Sequence, residues 1–402
     1  MIWRKSILKG KTQGYLSAVS VLLLFVSIYL GSVSLFSVGV LIGISLLLSS
    51  KYLNISSESI HYHNEKRTYR MFAEDEEKWQ LKVTNKSRFP VIHTNVHFQM
   101  NSVVTIDKIK PTAEWKGFNE YTLPLVFQPN ETKTLQIPVK GQKRGVAKLS
   151  KFELQFSDVF NFEQVKLLND RLVKTEFIVY PSLLPVEGVD QIVRFNQGER
   201  PSQASLYEDQ SLIVGTRDYE PGDSFQRIHW KASARKDTFQ TKIFEKTINQ
   251  NWTILLNVQP NRQLAAKYGE IELSERQISY AAYLCQFATQ HNIPFDMYVN
   301  IKTKGRIPYL HLEKGEGKQQ LIKGLELLSR LNLNSVKIPM HRLLSLYESW
   351  KSNATTVIII GDTSTDEEVY ERWRKKGTDV YTLNIGEAHA SLAGLERRRE
   401  TS

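Results

Sequence analysis

The sequence of 402 residues holds one cysteine, Cys285. A single thiol excludes an internal disulfide framework and a zinc site built on cysteines, since each needs at least two from one chain. Cys285 stands at helical spacing with Ile278, Ala281, Ala282 and Ala288, which marks a small buried hydrophobe rather than a reactive thiol. Low-complexity tracts are also missing. With 41% hydrophobic and 24% charged residues the chain is expected to fold nearly throughout, and its length calls for two soluble domains beside any membrane segment.

A basic stripe interleaved with aromatics is lacking too. The net charge of +11 is mixed with acids along the chain, apart from Arg4, Lys5, Lys9 and Lys11 ahead of the first apolar run. That distribution argues against nucleic acid as a partner and for a membrane flank.

Charge itself is absent from residues 15–50. One helix of that length would overshoot a hydrocarbon core of ~30 Å, whereas two crossings of about 17 residues fit. The weakly helical Gly31-Ser32-Val33-Ser34 supplies a break, so helices are predicted over 14–31 and 34–50. The run is longer than a signal-peptide core of ~7–15 residues and lacks a clear Ala-x-Ala site, so it is expected to stay in the protein. Four basic residues precede it, none lies in the turn, and Lys51, Lys66, Arg67 and Arg70 follow. This bias predicts a multi-pass cell-membrane protein with residues 14–50 in lipid and the soluble body in the cytoplasm. A single long helix leaving the body outside is the alternative.

Residues 55–185 read as strands, among them Trp79 to Thr84, Val91 to Phe98, Tyr121 to Phe127, Thr134 to Val139 and Lys148 to Phe156, with polar turns and no amphipathic helix. The pattern predicts a β-sandwich. His93 and His97 would lie roughly 13 Å apart on a strand, too far to share an ion, so they and His61 and His63 are read as surface or sheet-packing residues.

The stretch from Gly215 to Arg235 is the most distinctive. Pro221-Gly222 has type II turn chemistry. Asp218 and Asp223 fall within reach of Arg217, Arg227 and Arg235, a set suited to arginine–carboxylate pairs, and Trp230 adds a large apolar anchor. A catalytic reading would make His229 a base oriented by Asp218 or Asp223. Ser224 and Ser233 lack a nucleophile elbow, so structural pairing or partner docking is preferred and no catalytic residue is assigned.

Arg217, Asp218 (where the family has Glu), Tyr219, Pro221, Gly222, Asp223, Arg227, Ile228, Trp230, Ala234 and Arg235 together resemble the hallmark of the DUF58 family. Lys143-Arg-Gly-Val and Ser157-Asp-Val-Phe-Asn-Phe resemble further family segments, although Val159 and Asn161 replace the usual Pro and Gly, so that loop is expected to differ in shape. Val179-Tyr-Pro-Ser resembles the family as well.

After the cassette, strands (252–258, 294–300, 307–312, 356–360, 379–384) alternate with helices (274–291, 317–331, 340–350, 366–376), which predicts a sheet covered by helices. The resemblance implies a von Willebrand A-like, Rossmann-like α/β fold. The expected organisation is therefore a transmembrane two-helix hairpin (1–52), a β-sandwich (53–190), the charged cassette and linker (191–247), the α/β domain (248–388) and a polar tail (389–402). In that fold an Asp-x-Ser-x-Ser loop holds a metal; here Asn257 to Asn261 lacks the carboxylate and both serines. Asp362, beside Thr363 and Ser364, is left as a weak metal candidate, with Thr365 as a helix N-cap. No cofactor is expected.

The resulting expectation is a membrane-anchored interaction protein, not an enzyme. The resemblance implies a MoxR-type AAA+ ATPase as partner. A metal-dependent adhesion module and an envelope-acting hydrolase are the alternatives.

Overall fold

The structure, a computed structural model, describes residues 3–9, 11–63, 67–107, 109–115, 117–169, 175–192, 208–246, 251–259, 262–304, 308–350, 355–362, 366–386 and 389–394. The chain divides into two compact units, residues 1–182 with 325–331, and residues 183–324 with 332–402.

The first unit opens with strand β1 (Trp3–Lys9) and two helices, α1 (Lys11–Leu30) and α2 (Val33–Ser59). Both helices are long and apolar enough to cross a membrane and are compatible with a membrane anchor. At 1.5 Å per residue α1 reaches about 30 Å and α2 about 40 Å. Gly31 turns the chain between them at φ +64°. Small residues let the helices approach: Ser20 donates to the Gly39 carbonyl at 2.8 Å, and Gly43 lies one turn further on.

Strands β2 (Ile60–Tyr62), β3 (Thr68–Met71), β4 (Glu76–Asn85), β5 (Val91–Asn101), β6 (Val104–Ile106), β7 (Ala113–Trp115), β8 (Phe118–Phe127), β9 (Thr132–Gly141), β10 (Gly145–Ser157), β11 (Glu163–Asn169) and β12 (Glu176–Val179) follow. They make one sheet ordered β1-β11-β10-β5-β8-β7, with β12 on β10 and β3 on β12, and a second ordered β2-β4-β9-β6. Alternation places Trp79, Leu81 and Val83 of β4 and Val96, Phe98 and Met100 of β5 in one shared core. The Trp79 and Phe98 rings meet edge to face at 5.2 Å. His97 is a sheet-packing residue, its Nδ1 lying 2.9 Å from the Thr122 hydroxyl.

Two expectations are corrected here. Helix α2 continues to Ser59 instead of ending at residue 50, because Leu53, Ser56 and Ser57 in its last turns are buried. The stretch ahead of the first helix, for which no strand was expected, forms β1 and carries Arg4, Lys5 and Lys9, while Lys11 opens α1; β1 pairs antiparallel with β11 from Trp3↔Asn169 to Lys9↔Glu163. Lysine and arginine suit this edge position, where charge discourages further pairing. The strand before α1 and the strands after α2 therefore sit in one β-domain, and Lys5 donates to Asn54 of α2 at 2.7 Å.

The second unit contains β13 (Val186–Glu187), β14 (Glu208–Asp218), α3 (Trp230–Lys236), β15 (Gln240–Lys246), β16 (Trp252–Leu256), α4 (Arg262–Tyr268), α5 (Glu270–Gln290), β17 (Phe295–Lys302) and β18 (Tyr309–Gly315). Next come α6 (Gly317–Ser329), of which only residues 317–324 count to this unit, α7 (Met340–Trp350), β19 (Thr356–Ile360), α8 (Glu367–Lys375), β20 (Asp379–Ile385) and β21 (Ala390–Gly394). The main sheet runs β13-β21-β20-β19-β16-β17-β18, with β20, β19, β16 and β17 mutually parallel. Every residue of β16 and β19 is buried, as a strand covered on both faces requires. From β16 the chain moves first to β17 on one side and later to β19 on the other, so a topological switch point lies between β16 and β19. Cys285 is fully buried, and burial pushes its thiol pKa up.

Residues 186–187, expected in the sandwich, pair instead with β21, and the expected polar tail from 389 begins with that strand. Residues 193–207 of the linker, Thr363, Ser364, Thr365 and residues 395–402 lie outside the described residues. The N-cap position of α8 is Asp366.

Candidate functional site

The cassette is a strand pair with a capped helix in its loop. Strands β14 and β15 run antiparallel, with Arg217 opposite Thr241 and Asp218 opposite Gln240. Beyond β14 the Asp223 N–H donates to the Glu220 carbonyl at 3.0 Å, closing the turn through Pro221 and Gly222, and Gly222 takes the positive φ of +120° that the turn demands. Asp223 is the centre of this loop. Its Oδ1 lies 2.6 Å from Arg217 Nη2, and its Oδ2 accepts from the Glu220 N–H and the Thr241 hydroxyl, both at 3.1 Å. The Glu220 N–H above all, then Arg217 and Thr241, hold the carboxyl below its ordinary value of 3.8, against the opposing effect of partial desolvation.

Asp218 takes a different partner, accepting from the buried Gln240 amide. Gln240 in turn donates its backbone N–H to Ser233 at 2.9 Å and accepts from the His229 N–H at 2.7 Å. His229 is the N-cap of α3, its Nδ1 accepting from the Ala232 N–H at 3.1 Å. That bond fills the ring nitrogen that an orienting carboxylate would have used. Among the described residues neither Asp218 nor Asp223 hydrogen-bonds to His229. Arg227 is half-buried in the single helical turn before Ile228, and Arg235 is exposed in the last turn of α3.

Trp230 was expected as an anchor and stands largely in the open, 64% exposed. Phe225 at 70% and Phe239 at 56% accompany it. Trp230 meets Phe239 edge to face at 6.4 Å, and Tyr219 lies 6.1 Å from Phe225 and 6.3 Å from Phe239. The four rings form one connected group, and α3, which starts at Trp230, carries the exposed Lys231, Arg235 and Lys236. Sequence reasoning overlooked Phe225, Phe239 and Gln240. No local pattern in the sequence marks them, since Phe239 is exposed while Gln240 and Thr241 next to it are both buried.

A second place to look is the crevice at the switch point, where α/β sheets hold ligands. Asn257 borders it and is held from the β17 side by Asn300. Asn300 donates to Asn257 Oδ1 at 2.6 Å and to the Ile338 carbonyl at 3.2 Å, and accepts from the Val258 N–H at 2.8 Å. Asn257 donates to the Asp362 carbonyl at 3.1 Å. Gly361 adopts φ +114°, and a side chain there would run into the Asn257 backbone. Among the described residues no three His, Cys, Asp or Glu side chains come together as a metal site.

Residues 215–378 match the model of the family described as Protein of unknown function DUF58. The match begins in β14 and ends just before β20, so it takes in the cassette and the switch-point crevice. No curated protein matches the chain. Among solved structures, PapD-like domain 7 of human CEP192 has 8% identity over 30% of this chain and 84% of its own, with a TM-score of 0.19. The third ScaB cohesin of R. flavefaciens, in complex with a group 1 dockerin, has 19% identity over 30% and 94%, with a TM-score of 0.17. A GH20 exo-β-N-acetylglucosaminidase from Vibrio harveyi has 10% identity over 84% and 34%, with a TM-score of 0.20.

Proposed function

We propose that the chain is a membrane-anchored protein–protein interaction protein, not an enzyme, whose cassette docks a partner. The observation that carries this reading is the exposed trio of Phe225, Trp230 and Phe239, joined by the partly buried Tyr219 on a loop fixed by the Arg217–Asp223 pair. Aromatic side chains are the usual anchors of protein interfaces, and a loop that is already ordered loses little entropy on binding. The resemblance to DUF58 proteins adds a MoxR-type AAA+ ATPase as the partner.

The α/β unit is read as von Willebrand A-like, in keeping with its parallel central strands. The Asn257–Asn300 pair, at the strand ends where such a fold would use carboxylate and serine ligands, favours a module working without a metal over an adhesion module. The hairpin is read as crossing the cell membrane twice with the body in the cytoplasm. Support comes from the basic flanks and from β1 joining the same sheet system that α2 enters, since an even number of crossings returns the chain to its starting side.

The test is crosslinking in intact membranes. Wild type is expected to capture a MoxR-type ATPase, and Trp230→Ala with Phe239→Ala to lose it. Equal capture by both proteins removes the aromatic group as the docking surface, and absence of any such ATPase removes the partner. A reporter fused after Ser402 that is active outside the cell overturns the orientation.

A further inference from the structure

A groove of about 360 Å³ opens in the first unit against the last turns of α2. Leu48, Tyr52 and Ile55 of α2 form one wall, and Phe89, Val159 and Phe160 from two loops form the other. The loops are held in shape. Asp158 is fully buried and accepts from the N–H groups of Phe160 at 3.1 Å and Glu163 at 2.8 Å, while Asn161 takes φ +58°. Tyr52 donates to the Pro90 carbonyl at 2.7 Å and meets Phe89 edge to face. Yet Phe89, Val159 and Phe160 are 46%, 57% and 59% exposed. Three large apolar side chains on rigid loop tips around an apolar groove point to something that covers them.

The position of the groove says what. From Val33 to Lys51 a helix rises about 27 Å, close to a hydrocarbon core of ~30 Å. Lys51 is the first charged residue after the uncharged run 15–50 and lines the groove, and exposed Arg88 precedes Phe89. Apolar and aromatic side chains beneath, with a lysine and an arginine beside them, match the boundary between acyl chains and phosphate headgroups. We propose that the groove holds one acyl chain of an anionic bilayer phospholipid, with its phosphate on Lys51, and that Phe89, Val159 and Phe160 dip into the membrane interface. This rests on the membrane reading above.

The experiment separates the two. Photoreactive benzoylphenylalanine replaces Phe160, Leu22 in the middle of α1, or Phe118 in full-length protein reconstituted into phosphatidylcholine vesicles with or without phosphatidylglycerol. Phe118 pairs with Asn101 at the far end of β5 from Phe89, roughly 33 Å along the strand. Positions 22 and 160 are expected to give lipid adducts and position 118 none. At position 160 phosphatidylglycerol is expected to be favoured roughly fivefold, the contribution of one lysine near an anionic surface, and Lys51→Ala to abolish that preference. Both Phe160 and Lys51 are exposed, so neither change threatens folding. Lipid adducts at 22 without any at 160 overturn the groove and leave the membrane anchor standing. A protein adduct in place of lipid at 160, or no preference for the anionic lipid, also overturns it. No lipid adduct at 22 sinks the anchor and the groove together.

Discussion

The side-chain amide of Asn300 lies 2.6 Å from Asn257 Oδ1, tying together the chain beyond β16 and the interior of β17 at the switch point of the second sheet. Asn300 is fully buried and also serves the Val258 N–H and the Ile338 carbonyl. Asn300→Ala strands these groups without water. It is expected to destabilise the second unit by about 2–4 kcal/mol, since each unpaired buried group costs ~1–3 kcal/mol. Thermal unfolding of the full chain followed by near-ultraviolet dichroism checks this, and an unchanged transition refutes it.

How much of this could be read beforehand depended on whether a signal was local. The hairpin was legible because absence of charge is a contiguous property, and β4, β5, β16 and β19 because a period of two or an all-apolar run is local as well. Strand β1 was not: Arg4, Lys5 and Lys9 read as a flank, and the pairing that makes them a strand involves residues 163–169. The end of α2 escaped because Ser56 and Ser57 read as polar, whereas burial against the sheets keeps them helical. In the cassette, the turn at Pro221-Gly222 followed from residue chemistry alone. The arginine–carboxylate pairing of Arg217 with Asp223, six residues apart, was within reach of that local reading as well. The partner of Asp218 was not: it pairs with Gln240 only because β15 returns beside β14.

The Asp223 carboxyl gives the cassette a pH signature. Its folded pKa is lowered, so the charged form contributes stability that is fully present above the ordinary carboxylate value and is lost as pH falls through the lower folded value. Asp223→Asn is therefore expected to lower the melting temperature at neutral pH and to match wild type once both are strongly acidified. A deficit that persists unchanged in acid assigns the effect to shape rather than charge.

Close approach of α1 and α2 depends on Gly39. A Cβ built there meets the Leu24 side chain at 3.2 Å, and the Ser20 hydroxyl is bonded to the Gly39 carbonyl. Gly39→Leu is expected to wedge the helices apart and destabilise the hairpin by about 1–3 kcal/mol, the usual cost of overpacking. Gly39→Ala should cost less. Denaturation of the detergent-solubilised full chain ranks the two, and a leucine variant as stable as wild type excludes this seam as the contact that holds the helices.

Asp296 is the opposite case from Asp223. It lies on β17, 4% exposed, with Tyr298 OH 3.5 Å from its Oδ2 and no hydrogen-bond partner on Oδ1 among the described residues. Desolvation raises its pKa above the ordinary 3.8, while Thr253, Lys314, His311 and Tyr298 counter only part of that. Between the ordinary value and the raised one, the folded chain keeps a proton that the unfolded chain has released, so stability falls as pH rises through that window and stays lowered above it. Asp296→Asn keeps the shape and removes the charge. It is expected to raise the melting temperature at neutral pH and to lose that advantage below the ordinary carboxylate range, because there wild type is also neutral. A melting series on both proteins from about pH 3 to about pH 8 covers the window. An advantage that is constant across the series shows that the gain comes from the new amide hydrogen bonds and that the buried carboxylate carries no penalty, since hydrogen bonding by a neutral amide does not change with pH in that range.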